Sequence, residues 1–187
     1  MRGLSLTSQA LESLDRDGSA TWLFRPAGTP SRSGLRYIAA GEKTGVQTAY
    51  KCRVRNPWWR VPYLRPADLL LTYMNADAAR LCTNSAGVHH LNSVHGLYLK
   101  AELRVLGRDL LSLASLNSVS RLGAEVVGRS YGGGVLKLEP READQWPMPS
   151  PELVQRRQAP LRLVRRRVRD LLKAGRLFDA SEVVDEA

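Results

Sequence analysis

The chain has 187 residues, which suits one domain or one domain with a helical appendage. About 43% of the residues are hydrophobic, so we expect a folded core and exclude wholesale disorder. The net charge of +10 comes mostly from arginine and favours a polyanionic partner, with nucleic acid first. No apolar run is long enough for a membrane helix, and the N-terminus lacks the apolar core of a secretory signal. We therefore expect a cytoplasmic protein with no membrane partner.

The metal-binding residue types are sparse and badly spaced for a metal site. Cys52 and Cys82 form no CxxC pair, and His89, His90 and His95 have no thiol or carboxylate beside them at ligand spacing. We expect two reduced thiols and no bound metal.

The elements predicted in chain order give an α+β fold, a small mixed sheet with packed helices that ends in a basic helix. We divide the chain into a lead-in (1–19), a recognition domain (20–150) and an arginine-rich helical tail (151–187). Hydrophobic periodicity and turn signals predict strands and helices, with Asn117 capping the second long helix. The predicted strands are 21–24, 58–61, 68–73, 80–84, 94–100 and 135–138, and the predicted helices are 34–42, 102–116, 118–128 and 152–173.

The first candidate site is the stretch 51–62, where cations and indoles stand close together. Cations neutralise phosphates, and an indole can stack on a base. In an extended segment alternate residues share a face, so Lys51, Arg53 and Arg55 would lie on one face and one of the two adjacent tryptophans would enter the core. The alternative is a strand with solvated cations and a tryptophan anchor. The candidate DNA-binding residues here are Lys51, Arg53, Arg55, Trp58, Trp59 and Arg60.

The second candidate site is the polar stretch 84–96. Asn92 has the amide that can read an adenine edge, and His89, Ser93 and His95 can reach a base or a phosphate. The alternative is a loop whose short polar side chains satisfy its own backbone. A Ser/His/Asp hydrolase is not supported, because no GxSxG motif occurs.

The third candidate site is the glycine tract 129–137. Gly132 and Gly133 allow a close backbone approach to a ligand, and Arg129, Tyr131 and Lys137 flank them. The tract is not a P-loop, because GxxxxGK[ST] is absent. The alternative is a plain glycine turn leading into a strand.

These segments, in this order, resemble the C-terminal specificity region of TaqI-type adenine-specific (N6) DNA methyltransferases of restriction-modification systems. The resemblance spans roughly residues 20–150. The matching text is Gly41-Glu42, Gly45-Val46, Tyr50 to Arg55, Pro57-Trp58-Trp59, Val61-Pro62, Asp68 to Leu71, Leu91 to His95, Leu116-Asn117-Ser118, Glu125, Arg129, Tyr131 to Gly134, Lys137, Glu139-Pro140 and Pro147-Met148-Pro149.

The resemblance implies a two-part enzyme, of which this chain matches the target-recognition half. Double-stranded DNA is then the ligand, and S-adenosylmethionine is expected on the catalytic half, in a separate subunit or domain. Asn56-Pro57-Trp58-Trp59 is similar to the family's catalytic Asn-Pro-Pro-Tyr loop but lacks its second proline, and no glycine-rich cofactor loop precedes it. We therefore assign no catalytic residue and no cofactor to this chain. Two alternatives stay open: a complete but divergent small methyltransferase, and a general RNA-binding or ribosome-associated protein.

The predicted tail helix combines an arginine-rich face with an apolar stripe. Leu153, Leu161, Val164, Val168 and Leu171 recur at helical spacing. The arginines add phosphate contacts, or they form a solvated face on a helix that its leucines dock onto the core; we favour docking.

Overall fold

A computed structural model describes residues 3–187, and the α+β fold is confirmed. The chain divides into two compact units, which we call the basic unit (Leu14–Leu64) and the main unit (residues 3–13 and Arg65–Ala187). These units do not coincide with the boundaries expected at residues 19 and 150. The functional division, with recognition in 20–150, stays a prediction.

The main unit contains two small sheets. Their strands are β1 (Ser5–Leu6), β2 (Leu69–Thr72), β3 (Met74–Asn75), β4 (Leu81–Asn84), β5 (Val94–Leu97), β6 (Arg129–Tyr131) and β7 (Val135–Lys137). One sheet has the strand order β1-β4-β2-β5, in which β1 runs parallel to β4 and the other pairs are antiparallel. The other sheet is antiparallel, with the order β3-β7-β6.

Helices supply the rest of the fold. They are α1 (Ser8–Arg16), α2 (Arg32–Lys43), α3 (Tyr50–Arg53), α4 (Arg104–Ala114), α5 (Ser118–Val127), α6 (Pro140–Ala143), α7 (Pro151–Arg156), α8 (Gln158–Lys173) and α9 (Leu177–Asp185). Asn117 caps α5 as expected, because its side chain accepts from the Ser120 backbone N–H. No helix among residues 3–187 is long and apolar enough to cross a membrane.

Two buried clusters hold the main unit together. In the first, Leu110 and Leu113 of α4 pack with Leu161 and Val168 of α8 and with side chains of α9. In the second, buried residues of β2, β4 and β7 pack with Trp146, whose indole N–H donates to the Ser120 carbonyl at 2.6 Å. Docking of the tail helix onto the core is therefore confirmed.

Several predicted elements were wrong. Residues 21–24 and 58–61 form no strand, and the predicted tail helix is two helices separated at Arg157. Pro160 explains the break, because a proline has no N–H to donate to the preceding turn and is tolerated only in the first turn of a new helix. The tail (151–187), which we expected to be helical, also contains a third helix, α9, beyond the predicted 152–173.

Candidate nucleic-acid interface

The basic unit concentrates positive charge and aromatic side chains. Its residues 14–64 include nine Lys and Arg against three Asp and Glu, and seven of the twelve aromatic residues of the chain. None of its cations forms an ion pair with a carboxylate in the described structure. Two of its three carboxylates are engaged otherwise: Asp15 accepts from the Thr21 hydroxyl at 2.6 Å, and Glu42 accepts from the Trp58 indole N–H at 3.0 Å. The positive charge is therefore left for a ligand.

The candidate DNA-binding cations of this unit do not lie on one face of an extended segment, as the sequence had predicted. Lys51 and Arg53 lie in the short helix α3, where residues two apart point about 200° apart around the axis, so their predicted common face was wrong. Both are exposed, as is Arg60, whose guanidinium lies 5.3 Å from the Trp59 ring centre. Arg55 is half-buried and lines a cleft.

Trp58 and Trp59 are both half-buried rather than divided between core and solvent. Trp58 lies against Gly41, where an added Cβ would stand 3.1 Å from the indole. Trp59 meets Phe24 edge-on at 6.1 Å between ring centres. Together with neighbouring apolar side chains they line a cleft of about 500 Å³ within the basic unit. These contacts explain why the sequence folds here without strands.

In the main unit, Tyr73 lies beside the glycine hairpin, and no pattern in the sequence indicated this. β6 and β7 are joined by a turn in which Gly133 and Gly134 have positive φ, a conformation that favours glycine. The Lys137 ammonium lies 5.3 Å from the Tyr73 ring centre and 5.4 Å from that of Tyr131. Tyr131 is exposed, as are Gly132 and Gly133. We call Tyr73, Tyr131, Lys137 and Glu139 the hairpin cluster.

The cations of the hairpin are already paired. Glu139 lies 2.6 Å from the Lys137 ammonium and accepts from the Tyr73 hydroxyl at 3.0 Å. The hydrogen bond with Glu139 raises the pKa of Lys137, and the hydrogen bonds from Lys137 and Tyr73 hold the pKa of Glu139 below its ordinary value. Arg129 pairs with Glu142. A DNA phosphate would therefore compete with these carboxylates for the hairpin cations.

The polar loop is only partly available to a ligand. Asn84 is fully buried and bonds to the backbone of Ala67 and Val88, as the structural alternative predicts for such residues. His95 is half-buried. Its Nε2 donates to the Leu138 carbonyl at 2.8 Å, and its ring centre lies 5.1 Å from that of Tyr73. This contact ties His95 to the hairpin cluster.

The tip of the polar loop is exposed. Asn92 and Ser93 lie in the turn before β5, and in the described structure their side chains have no hydrogen-bond partner. His89 is exposed, whereas His90 is half-buried, with a pKa lowered by its burial and by the neighbouring histidines. Gly96 has to be glycine here, because an added Cβ would collide with the His90 ring. The loop thus presents Asn92, Ser93 and His89 on an anchored base.

The thiols and the histidines offer no metal centre within residues 3–187, where no group of three or more His, Cys, Asp or Glu is placed to hold an ion. Cys52 and Cys82 are both free, and burial raises the pKa of Cys82 to about 11. Cys82 is therefore a protonated, structural thiol.

The comparisons with known proteins agree with one another. The chain is 33% identical over 116 residues to the type II methyltransferase M.XamI of Xanthomonas campestris pv. amaranthicola, covering 62% of this chain and 21% of that protein. It is 25% identical over 140 residues to the type II methyltransferase M.AccI of Acinetobacter calcoaceticus, covering 74% of this chain and 26% of that protein. The matched part thus spans about a quarter or less of these relatives. No solved structure matches the chain significantly.

The family described as type II methyltransferase M.Eco57I, C-terminal domain, matches residues 1–187. The chain therefore belongs to the family of the C-terminal domain of the type II methyltransferase M.Eco57I.

Proposed function

We propose that this chain is a DNA target-recognition module of a site-specific adenine-N6 methyltransferase of a restriction-modification system. The observation that carries the proposal is the uncompensated charge of the basic unit, together with its aromatic side chains, in a chain of a type II methyltransferase family. Unpaired cations bind phosphates without first having to break an internal ion pair. The TaqI-type resemblance supports adenine as the target.

Two surfaces share the work in this proposal. The exposed Lys51, Arg53 and Arg60 contact phosphates and supply affinity, whereas Asn92 and Ser93 reach base edges and supply sequence preference. The hairpin adds contacts through Arg129, Tyr131 and Lys137, and Gly132 and Gly133 let a DNA backbone approach closely. In this proposal, methyl transfer depends on an S-adenosylmethionine-binding part outside the recognition module. The adenine must also be flipped from the stack to be methylated.

The test is binding to a labelled duplex as a function of salt. We expect the logarithm of the affinity to fall linearly with the logarithm of salt concentration, with a slope of about 0.9 for each phosphate contacted. Duplex DNA should compete better than structured RNA of the same length. A folded protein that binds no duplex at low salt would overturn the proposal, and equal competition by RNA would favour a general RNA-binding protein. Calorimetry with S-adenosylmethionine provides the remaining comparison, because micromolar binding to this chain would indicate a complete methyltransferase.

A further inference from the structure

Trp22 is the most exposed of the large hydrophobic side chains in residues 3–187. Its side chain is 88% exposed, although tryptophan is on average highly buried. In the described structure it has no hydrogen bond, ring pair or cation contact with another residue. It belongs to neither of the two buried clusters.

The backbone that carries Trp22 is nevertheless fixed on both sides. Before it, the Thr21 hydroxyl donates to Asp15. After it, Phe24 packs against Tyr37 at 5.0 Å and against Trp59. Arg25 donates to the Val61 carbonyl at 3.2 Å and covers the Tyr63 ring at 4.8 Å. An exposed indole on an anchored segment is preorganised for contact, because little backbone entropy is lost when a ligand binds.

The surroundings of Trp22 indicate the chemistry of that ligand. The basic unit carries three times as many cations as carboxylates, which selects an anionic polymer. The segment of Trp22 continues through Leu23 and Phe24 into the wall of the 500 Å³ cleft, which Arg55 and Trp59 also line. Aromatic faces beside unpaired cations are the combination that binds unstacked bases and their phosphates.

We propose that Trp22 is a base-stacking residue, and that the basic unit binds an unpaired nucleotide of locally opened DNA. This inference rests on the proposed function and adds a ligand to it, namely an unstacked base in addition to the paired duplex. The indole stacks on the base, and unpaired cations elsewhere in the basic unit hold the phosphates of the same strand. A base lifted out of the duplex during methylation, or the base left opposite to it, has the required chemistry.

The experiment compares three labelled duplexes of the same sequence: fully paired, with one bulged base, and with an abasic residue at the bulge. Trp22→Ala should weaken binding to the bulged duplex about tenfold, since stacking of one base contributes on that order. Binding to the paired and abasic duplexes should stay within about twofold, because neither offers a free base. Trp22→Phe should keep most of the bulge affinity. Because Trp22 has no packing role, these variants should unfold at the wild-type temperature.

Phe178→Ala is the matched control. Phe178 is an aromatic residue of the main unit, in α9, and is 74% exposed. It should leave all three affinities unchanged. Equal losses on all three duplexes in Trp22→Ala, no loss on any, or the same loss in Phe178→Ala would overturn the stacking role. A wild-type protein that binds paired duplex but does not bind the bulge better than its abasic counterpart would also overturn it while leaving the proposed function intact. A wild-type protein that binds none of the three would overturn both.

Discussion

In the main unit, many cations lie against carboxylates and help to build the fold, whereas in the basic unit no described cation does so. Asp68 lies 3.4 Å from Arg104 and 3.3 Å from Arg108, and Asp109 is bound by Arg162 and Arg165. The same residue type thus has two uses in one chain. Arginines with a carboxylate partner tie helices to neighbouring elements, and arginines without one are available to a polyanion. The net charge of +10 does not show where the available cations lie, because ion pairs cancel in the sum whether or not they form.

The largest expected effect is on stability, in the main unit. Leu110→Ala removes a fully buried side chain from the cluster that joins α4 to α8, so unfolding should become easier by about 2–5 kcal/mol. Urea unfolding measures the change. Val105→Ala on the same helix is the control, since Val105 is 85% exposed and its change should stay within about 0.5 kcal/mol. Equal effects of the two variants would contradict the assignment of the core.

Asp109→Asn removes the carboxylate of α4 that pairs with two arginines of α8, and urea unfolding measures the loss of stability. We expect a loss of about 1 kcal/mol, since the pairs are partly exposed and the amide keeps one acceptor oxygen but not the negative charge that holds the two guanidiniums. Asp170→Asn, whose pairs are longer and exposed, should change stability by only a few tenths of a kcal/mol. If the two variants were equally stable, the Asp109 pairs would not be what holds the helices together.

The ion pairs of Asp109 predict that stability depends on pH. Burial acts to raise the pKa of Asp109, but the hydrogen bonds from Arg162 and Arg165 outweigh it and hold the pKa below its ordinary value of 3.8. The folded pKa therefore lies below the unfolded one, so the contribution is present above the unfolded pKa and is lost as the pH falls through the folded pKa. The difference in stability between wild type and Asp109→Asn should shrink as the pH falls below about 3.8. A constant difference down to that range would contradict this.

Freeing Lys137 from its ion pair with Glu139 should change duplex affinity only slightly. Glu139→Gln keeps an acceptor for Tyr73 but removes the charge that holds Lys137, so duplex affinity should rise about two- to fivefold. Fluorescence anisotropy at low salt measures it. Glu152→Gln on α7, which carries no ion pair within the described chain, controls for the loss of one negative charge. An unchanged affinity, or an equal rise in both variants, would remove the hairpin cluster from the interface.

Local signals in the sequence were sufficient for the elements that depend on them. Helix α5 has its cap at Asn117 and a regular apolar face, β2 is a short apolar run, and β4 and β7 each begin with two apolar residues, so all were predicted. Residues 21–24 and 58–61 were predicted as strands because aromatic residues favour strands, but that preference depends on neighbours that the sequence does not show. Here Trp58 and Trp59 pack against Gly41 and Phe24 instead.

The candidate site depended more on distant contacts. The pairing of Lys137 with Glu139 is local, but Tyr73 reaches that carboxylate from 66 positions away, and no pattern in the sequence indicates it. The lack of carboxylate partners in the basic unit is likewise a property of three-dimensional placement. Its one sequence signal is composition, because residues 14–64 hold few acids among many arginines.

In the proposed function, the unpaired cations of the basic unit supply most of the phosphate contacts to DNA. The most direct test measures duplex affinity against salt for two triple variants, each of which removes three exposed arginines or lysines. One carries Lys51→Ala, Arg53→Ala and Arg60→Ala, and the other carries Arg166→Ala, Arg169→Ala and Arg176→Ala, which remove exposed arginines that each form an ion pair. We predict that the first lowers the salt slope by about 0.9 for each lost phosphate contact and that the second leaves it unchanged. Equal slopes in the two variants, or a larger loss in the second variant, would contradict this assignment.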